Sequence, residues 1–234
     1  MKKMIVAFML VISMMAIALI GGTLAYFTDF DAATNVMTMG NVDIEQIELE
    51  RGPEGSLIPF TQDKFVFPAV GEAKWEDEAI EVGGGVQKVF DVENVIDKFV
   101  YVKNTGANDV YVRTIVAIEA PNYDRNNLIH VNINNTDGVT MTDWAAVEIN
   151  GVQYVYSVFT YTKALAPNAE TPVSLAQVYL DPVTTQKDAA AYNGQWTILC
   201  LSQAAQEAGF PDAATALNAA FGEANAASVK AWLE

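Results

Sequence analysis

The sequence contains very few of the residues that carry metal and redox chemistry. Its 234 residues include one cysteine, Cys200, and one histidine, His130. A single cysteine excludes an intrachain disulfide, so packing and hydrogen bonds must hold the fold together. In the segment 195–203, Cys200 shares one strand face with Trp196 and Ile198, which predicts a buried, inert thiol. Pairing of this thiol with another chain is the alternative.

Signatures of catalysis are also missing. Zinc hydrolases commonly hold their metal with three protein ligands, including a pair of histidines on one helix beside a glutamate. The chain has no H-E-x-x-H, no G-x-S-x-G and no glycine-rich phosphate loop. We therefore expect no enzyme activity, no catalytic residue, no cofactor and no bound metal. Calcium binding by the Asn, Gly and Asp clusters is an alternative, although no EF-hand-like spacing occurs.

Positive charge is scarce, with 13 basic against 29 acidic residues and a formal charge of −16. Such a surface repels nucleic acid and anionic lipid and favours solubility. A nucleic-acid partner is therefore not expected.

The N-terminus has the pattern of a secretory signal peptide. Lys2 and Lys3 precede an apolar run over residues 4–20, and the small residues Thr23 and Ala25 follow. This predicts a signal peptide over residues 1–25, cleaved between Ala25 and Tyr26, and a secreted protein that meets the membrane only through this peptide. An uncleaved transmembrane anchor is the alternative, because the run has nearly the length that spans a bilayer. Loss of the two lysines would change the formal charge from −16 to −18.

Short β-strands dominate residues 41–201. Apolar and polar residues alternate in segments rich in Val, Ile, Tyr, Phe and Thr, and Gly, Asn, Asp and Pro separate these segments. The pair Asn150-Gly151 predicts a tight hairpin turn. This pattern is typical of an all-β jelly roll or β-sandwich, which we place at residues 26–201.

Residues 202–234 are rich in alanine and predict a small helical C-terminal extension. Asp212 and Asn225 are well placed as N-caps of two short helices. The extension either caps the sandwich or docks a partner subunit. Two apolar faces are expected, one formed by Ala213, Leu217, Ala220 and Phe221, and the other by Val229, Trp232 and Leu233.

Four segments resemble the TasA/camelysin family, secreted proteins of Gram-positive bacteria that the signal peptidase SipW processes. They are GGTLAYFTD at 21–29, ATNVMTMGNVDI at 33–44, VYVKNTGANDVYVRTIVAIE at 100–119 and YTKALAPNAETPVSLAQVYL at 161–180. In the last segment Asn168 stands where the family usually has glycine. The resemblance covers the chain to about residue 201 and is most specific in the signal region.

The resemblance implies a jelly-roll subunit of extracellular biofilm fibres, located in the matrix at the cell surface. Its partners would be further copies of itself and a signal peptidase of the SipW type. Such subunits assemble by donor-strand exchange, in which the N-terminal segment of one copy completes a sheet of the next. Residues 26–40 are then the candidate donor strand, with Tyr26, Phe27, Phe30 and Val36 as its assembly residues. The alternative is that this segment forms an edge strand of its own domain.

Two other functions stay open at the level of sequence. The camelysin branch has been described as a metalloprotease, for which His130 alone is a poor ligand set. A monomeric surface adhesion or binding module could use Trp75, Trp144 or Tyr123 as stacking platforms, although aromatic residues in a sandwich usually belong to the core.

Overall fold

A computed structural model describes the backbone of residues 28–32 and 35–39, and residues 42–61, 68–71, 74, 76, 79–121, 128–133, 138–185, 188 and 196–234 in full. The predicted signal peptide, the cleavage site Ala25/Tyr26 and Phe27 lie outside these residues, as do Trp75 and Tyr123. In the described part of the chain, no helix is both long and apolar enough to cross a membrane.

The described chain consists mainly of β-strands. A 3₁₀ turn at Pro53–Gly55 and two helices, α1 (Ala213–Phe221) and α2 (Ala226–Leu233), complete it. The strands are β1 (Thr28–Ala32), β2 (Asn35–Met39), β3 (Ile44–Arg51), β4 (Leu57–Pro59), β5 (Ile80–Val82), β6 (Gly85–Gln87), β7 (Ile96–Asn104), β8 (Val110–Glu119), β9 (Ile129–Asn132), β10 (Val139–Met141), β11 (Ala145–Ile149), β12 (Val152–Tyr161), β13 (Leu175–Leu180) and β14 (Ile198–Gln206).

Two large antiparallel sheets form a sandwich, which confirms the predicted all-β class with a small C-terminal helical appendage. Sheet A has the order β10-β12-β8-β14-β1-β2, with β11 also paired to β12. Sheet B has the order β4-β3-β7-β13-β9, and β5 and β6 form a separate pair. Most neighbours in the two large sheets are not consecutive in sequence, as expected of jelly-roll connections.

The chain changes sheets at the turn between β7 and β8. Asn104 is fully buried there, and its side-chain amide donates to the carbonyl oxygens of Asn108 and Leu165, each at 2.8 Å. Its Oδ1 accepts a hydrogen bond from the Gly106 backbone N–H. Asn150 and Gly151 both have positive φ between β11 and β12, which confirms the predicted hairpin turn.

The core between the sheets is apolar. Val116 and Phe159 of sheet A pack with Val100 and Leu175 of sheet B, and Cys200 belongs to the same cluster. Trp144, Trp196 and Ile198 pack against this cluster from its margin. The prediction of a buried thiol on one face with Trp196 and Ile198 is therefore confirmed, and Trp144 contributes to the core.

The C-terminal helices cover the other face of sheet A. Asp212 and Asn225 are their N-caps, as predicted, and Asn225 forms a capping box with Ser228. Helix α1 buries Ala213, Ala216 and Leu217, whereas α2 packs Val229, Trp232 and Leu233 on the sheet. The inclusion of Ala220 in the apolar face of α1 was wrong, because Ala220 is exposed and Ala216 takes the buried position.

The predicted boundary between the sandwich and the helical extension, at residues 201 and 202, was wrong. Strand β14 continues to Gln206 and pairs with β8 along its whole length. The segment 202–206 contains two alanines and has a local preference for helix, but pairing with a long central strand overrides that preference.

Candidate assembly site

The edge of β14 is the place where the N-terminal segment meets the sandwich. One edge of β14 pairs with β8, from Ile198 opposite Ile118 to Gln206 opposite Val110. Its other edge pairs with β1 over five positions, from Leu201 opposite Ala32 to Ala205 opposite Thr28. Strand β14 therefore lies between the main sheet and the segment that the sequence indicated for assembly.

Side chains of β14 point alternately into two buried layers. Cys200 and Ala204 pack between the two sheets, whereas Leu201 and Ala205 pack under the C-terminal helices. From Leu201 to Ala205 every residue is at most 2% exposed. The strand is thus fixed on both faces, and only its edge is available for pairing with another segment.

A chain of partly buried polar contacts ties β14 to the opposite sheet. Ser202 Oγ donates to Gln46 Oε1 of β3 at 2.7 Å and lies 3.1 Å from Thr114 Oγ1 of β8. Gln46 Nε2 donates to the backbone oxygen of Cys200 at 3.3 Å. These contacts link β14 to β3 of the opposite sheet and to β8 of its own sheet.

A buried arginine fixes the helical layer on the other side of β14. Arg113 Nε donates to Gln203 Oε1 at 2.7 Å, and its two terminal nitrogens donate to Asn218 Oδ1 at 3.2 Å and to the Gly222 carbonyl oxygen at 3.1 Å. The guanidinium also lies 4.9 Å from the ring centroid of Trp232. These partners are all uncharged, and burial lowers the pKa of Arg113 to about 10.

The N-terminal segment forms a hairpin rather than a single strand. Strand β2 pairs with β1 from Asn35 opposite Ala32 to Met39 opposite Thr28, and ends sheet A. Among the described strands, β2 pairs only with β1. Phe30 lies in β1 and Val36 in β2, so the two predicted assembly residues fall on different strands.

This hairpin lies in the segment for which the sequence analysis gave two alternatives. The sequence analysis placed residues 26–40 in a strand without a position in its own subunit, with an edge position in its own domain as the alternative. Within one chain the segment takes the edge position, because β1 pairs with β14 of the same chain. Donor-strand exchange between copies stays a prediction. The remaining assembly residues, Tyr26 and Phe27, lie outside the described residues.

The residues just after the hairpin are fixed in the sandwich by burial and by hydrogen bonds. Val42 is fully buried and Ile44 is 2% exposed, and both belong to the core cluster around Val110 and Ala204. The carbonyl oxygen of Asp43 accepts hydrogen bonds from the backbone N–H groups of Thr105 and Gly106, each at 2.9 Å. The chain is therefore anchored at residues 42–44, independently of the β1–β14 pairing.

His130 makes a local pair at the opposite end of sheet B. Its Nε2 lies 2.7 Å from Asp181 Oδ2, and its ring stacks on Tyr179 at 5.1 Å between centroids. In the described part of the chain, no group of three or more His, Cys, Asp or Glu side chains is arranged to hold a metal ion. Both side chains of the pair are partly exposed, so the pair is a surface contact.

Sequence reasoning missed three features of this site. It gave no signal for the division of the N-terminal segment into β1 and β2, or for the Gln46–Ser202 link. Arg113 did leave a signal, because it is a charged residue in the middle of a mainly apolar strand. Only the structure shows that this charge contacts Asn218 of α1 and Trp232 of α2.

Together these features define an all-β sandwich with a C-terminal helical appendage, in which an N-terminal hairpin closes one sheet edge. Comparisons with protein-family models, with curated proteins and with solved structures find no match for the chain. The likeness to the TasA/camelysin family therefore stays a prediction from sequence.

Proposed function

We propose that the protein is a secreted structural subunit of extracellular filaments, which polymerises by donor-strand exchange through its mature N-terminus. One observation carries the proposal. The N-terminal segment joins the sandwich as an edge element through a single ladder on β14. An element held in this way can be replaced by the same element of another copy, because the identical ladder forms.

The surroundings of the ladder support this use. Helices cover the outer face of sheet A, so the sheet can be extended only at its edges. The body is anchored from Val42 onward without help from the hairpin. Loss of the hairpin therefore exposes the backbone groups of one strand edge. We expect the core clusters formed by residues from Val42 onward to hold the body together.

The biological setting follows from the N-terminal sequence. A signal peptide over residues 1–25 directs the chain out of a Gram-positive cell, and a SipW-type signal peptidase cleaves it before Tyr26. The product is a component of the biofilm matrix at the cell surface, and its main partner is a second copy of itself. On this proposal the protein has no enzymatic role.

The first experiment compares mature protein starting at Tyr26 with a truncated form starting at Val42. Electron microscopy should show fibres only for the mature protein. The truncated form should remain a soluble monomer with a cooperative urea transition, because its core is complete. Fibres of unchanged morphology from the truncated form would contradict donor-strand exchange, and an unfolded truncated form would make the hairpin an ordinary part of its own sheet.

A matched pair of point variants tests the ladder itself. Phe30 lies in the middle of β1, with a strand on either side. Phe30→Pro removes a backbone donor from an interior strand and should prevent fibre formation. Phe30→Leu keeps both the donor and an apolar side chain, and should assemble like the original protein. Mature protein that stays monomeric under all conditions would favour a monomeric surface module.

A further inference from the structure

In the described part of the chain, strands β1 and β2 are joined to the other strands only through the pairing of β1 with β14. Strand β1 contributes five paired positions to β14 and five to β2, whereas β2 has no other strand partner in the described part of the chain. Any exchange at this edge therefore has two forms. Either β1 leaves β2 behind, or β1 and β2 move together.

We propose that the unit exchanged between copies is the whole β1–β2 hairpin, which docks through β1 on β14 of the next copy. This inference rests on the proposed function and specifies its mechanism. The hairpin keeps its internal ladder throughout the exchange, and the only ladder replaced is the one between β1 and β14, by an identical one.

Exchange of β1 alone requires more disruption. Strand β1 of the donor would have to lose its pairing with its own β2, to which only residues 33–34 connect it. It would then have to enter between β14 and β2 of the acceptor as an interior strand. During that step both edges of β2 would be unpaired, and unpaired backbone groups are unfavourable. A hairpin instead adds to a single open edge, which is the usual geometry of strand addition.

The anchoring of the chain just after β2 also favours exchange of the whole hairpin. Residues 40–43 connect β2 to β3, and Val42 and Asp43 are fixed in the body by burial and by two backbone hydrogen bonds. Any movement of the hairpin must therefore leave Val42 and the residues after it in place. Three residue steps from Met39 to Val42 span at most about 11 Å. Neighbouring copies must then be in close contact, with β3 and β14 of the acceptor beside the donor's residue 42.

Engineered disulfides distinguish the two forms of exchange. All variants carry Cys200→Ala, so that the introduced cysteines are the only ones. The first disulfide, called the hairpin lock, joins β1 to β2 through Asp29→Cys and Thr38→Cys, which are opposite each other. The closing lock pairs Asp29→Cys with Ala204→Cys, which are opposite each other on β1 and β14.

Close and wide residue pairs alternate along an antiparallel ladder, so each lock is also made one position along. The second hairpin lock pairs Phe30→Cys with Met37→Cys, and the second closing lock pairs Thr28→Cys with Ala205→Cys. In each case the version that oxidises fully is used. The reduced form of the same variant is its matched control.

The oxidised hairpin lock should assemble like its reduced form, and a non-reducing denaturing gel of the fibres should show only monomers. The closing lock, oxidised before assembly, should abolish fibres. Oxidised after assembly, it should give a ladder of covalent oligomers, because β1 of one copy then lies on β14 of the next.

Other outcomes separate the two proposals. A hairpin lock that stops assembly, or that links different copies within fibres, would overturn the hairpin as the exchanged unit and keep donor-strand exchange. A closing lock that stays within one copy in intact fibres would overturn both proposals. Complete absence of fibres from the reduced variants and the mature protein would overturn both as well.

Discussion

Arg113 Nε donates a hydrogen bond to Gln203 Oε1 at 2.7 Å, between residues that lie opposite each other on β8 and β14. Both residues are at most 2% exposed. The same guanidinium continues to Asn218 and to the carbonyl oxygen of Gly222 at the end of α1. The Arg113 side chain thus links β14 to the C-terminal helices.

We expect Arg113→Ala to destabilise the protein by about 3 kcal/mol, because it removes hydrogen bonds from a charged donor and leaves the buried Gln203 oxygen without its partner. Urea unfolding followed by Trp fluorescence measures the change, and near-UV circular dichroism should report a loosened Trp232. Lys230→Ala is the matched control, because its i,i+4 contact with Glu234 is exposed and worth only about 0.5 kcal/mol or less. Equal effects of the two variants would contradict the assigned role of Arg113.

A second prediction concerns two buried glutamines. Gln87 is fully buried, and within the described part of the chain neither of its amide atoms has a hydrogen-bond partner. Burial of an unpaired amide costs about 1–3 kcal/mol. Gln87→Met keeps a similar shape without the amide and should raise the free energy of unfolding by about 1 kcal/mol or more.

Gln177 provides the matched opposite case. It is also fully buried, but its Oε1 accepts from the Phe90 N–H at 2.7 Å and from Asn132 Nδ2 at 2.8 Å, and its Nε2 donates to Asp97 Oδ1 at 2.7 Å. Gln177→Met should therefore lower the stability, since it leaves these buried partners unpaired. Thermal and urea melts of both variants give the comparison. A loss of stability in Gln87→Met would show that its amide is satisfied in solution.

Alkaline pH should destabilise the fold in two steps. Burial raises the pKa of Cys200 from 9.0 to about 12 and that of Tyr161 from 10.0 to about 12. Between these values the folded protein holds protons that the unfolded chain has lost, so the stability falls as pH rises. The contribution is complete below pH 9 and is lost as the pH passes through about 12.

Urea melts from neutral to alkaline pH measure this fall. Cys200→Ala should remove the loss of stability that begins near pH 9. Tyr161→Phe should remove the loss of stability that begins near pH 10. In the native protein at neutral pH, a thiol reagent should modify Cys200 only after unfolding. Rapid modification of the native thiol would contradict its burial.

Asp181 gives an acidic counterpart. Its pKa is lowered from 3.8, first by a hydrogen bond from the Val183 backbone N–H at 2.9 Å and then by His130. The folded pKa is therefore below the unfolded one, so this carboxylate stabilises the fold above pH 3.8 and the contribution is lost as the pH falls. In an NMR titration, His130→Ala should raise the pKa of Asp181 but keep it below 3.8, because the Val183 contact remains. An unchanged titration would show that the His130–Asp181 pair is not formed in solution.

Salt should speed fibre formation by the mature protein. Removal of Lys2 and Lys3 leaves a formal charge of −18, so copies repel each other at long range. The Debye length shrinks from about 30 Å at 0.01 M to about 10 Å at 0.1 M salt, which screens this repulsion. Light scattering at several salt concentrations measures the rate, and the form starting at Val42 is the control. A rate that falls with added salt would instead indicate that attraction between opposite charges drives assembly.

Much of the local structure could be read from the sequence. Alternation predicted β7, β8, β12 and most other strands, and Asn150-Gly151 marked the hairpin between β11 and β12. Asp212 and Asn225 indicated the starts of the two helices. Asn168, where the family that the sequence resembles usually has glycine, has a φ of +63°, a conformation that asparagine adopts more readily than most residues. Each of these features depends on only a few consecutive residues.

The arrangement of the sheets was decided by tertiary structure. Strand β14 runs on to Gln206 despite its alanines, because β8 pairs with it along its whole length. The N-terminal segment is a hairpin on β14 of its own chain, and Arg113 contacts Asn218, 105 positions away in sequence. Periodicity and capping describe interactions within one turn or one strand, so the sequence by itself determined these elements. Which edges meet, and which buried polar groups find partners, depends on residues brought together from distant parts of the chain, and only the packed structure decides it.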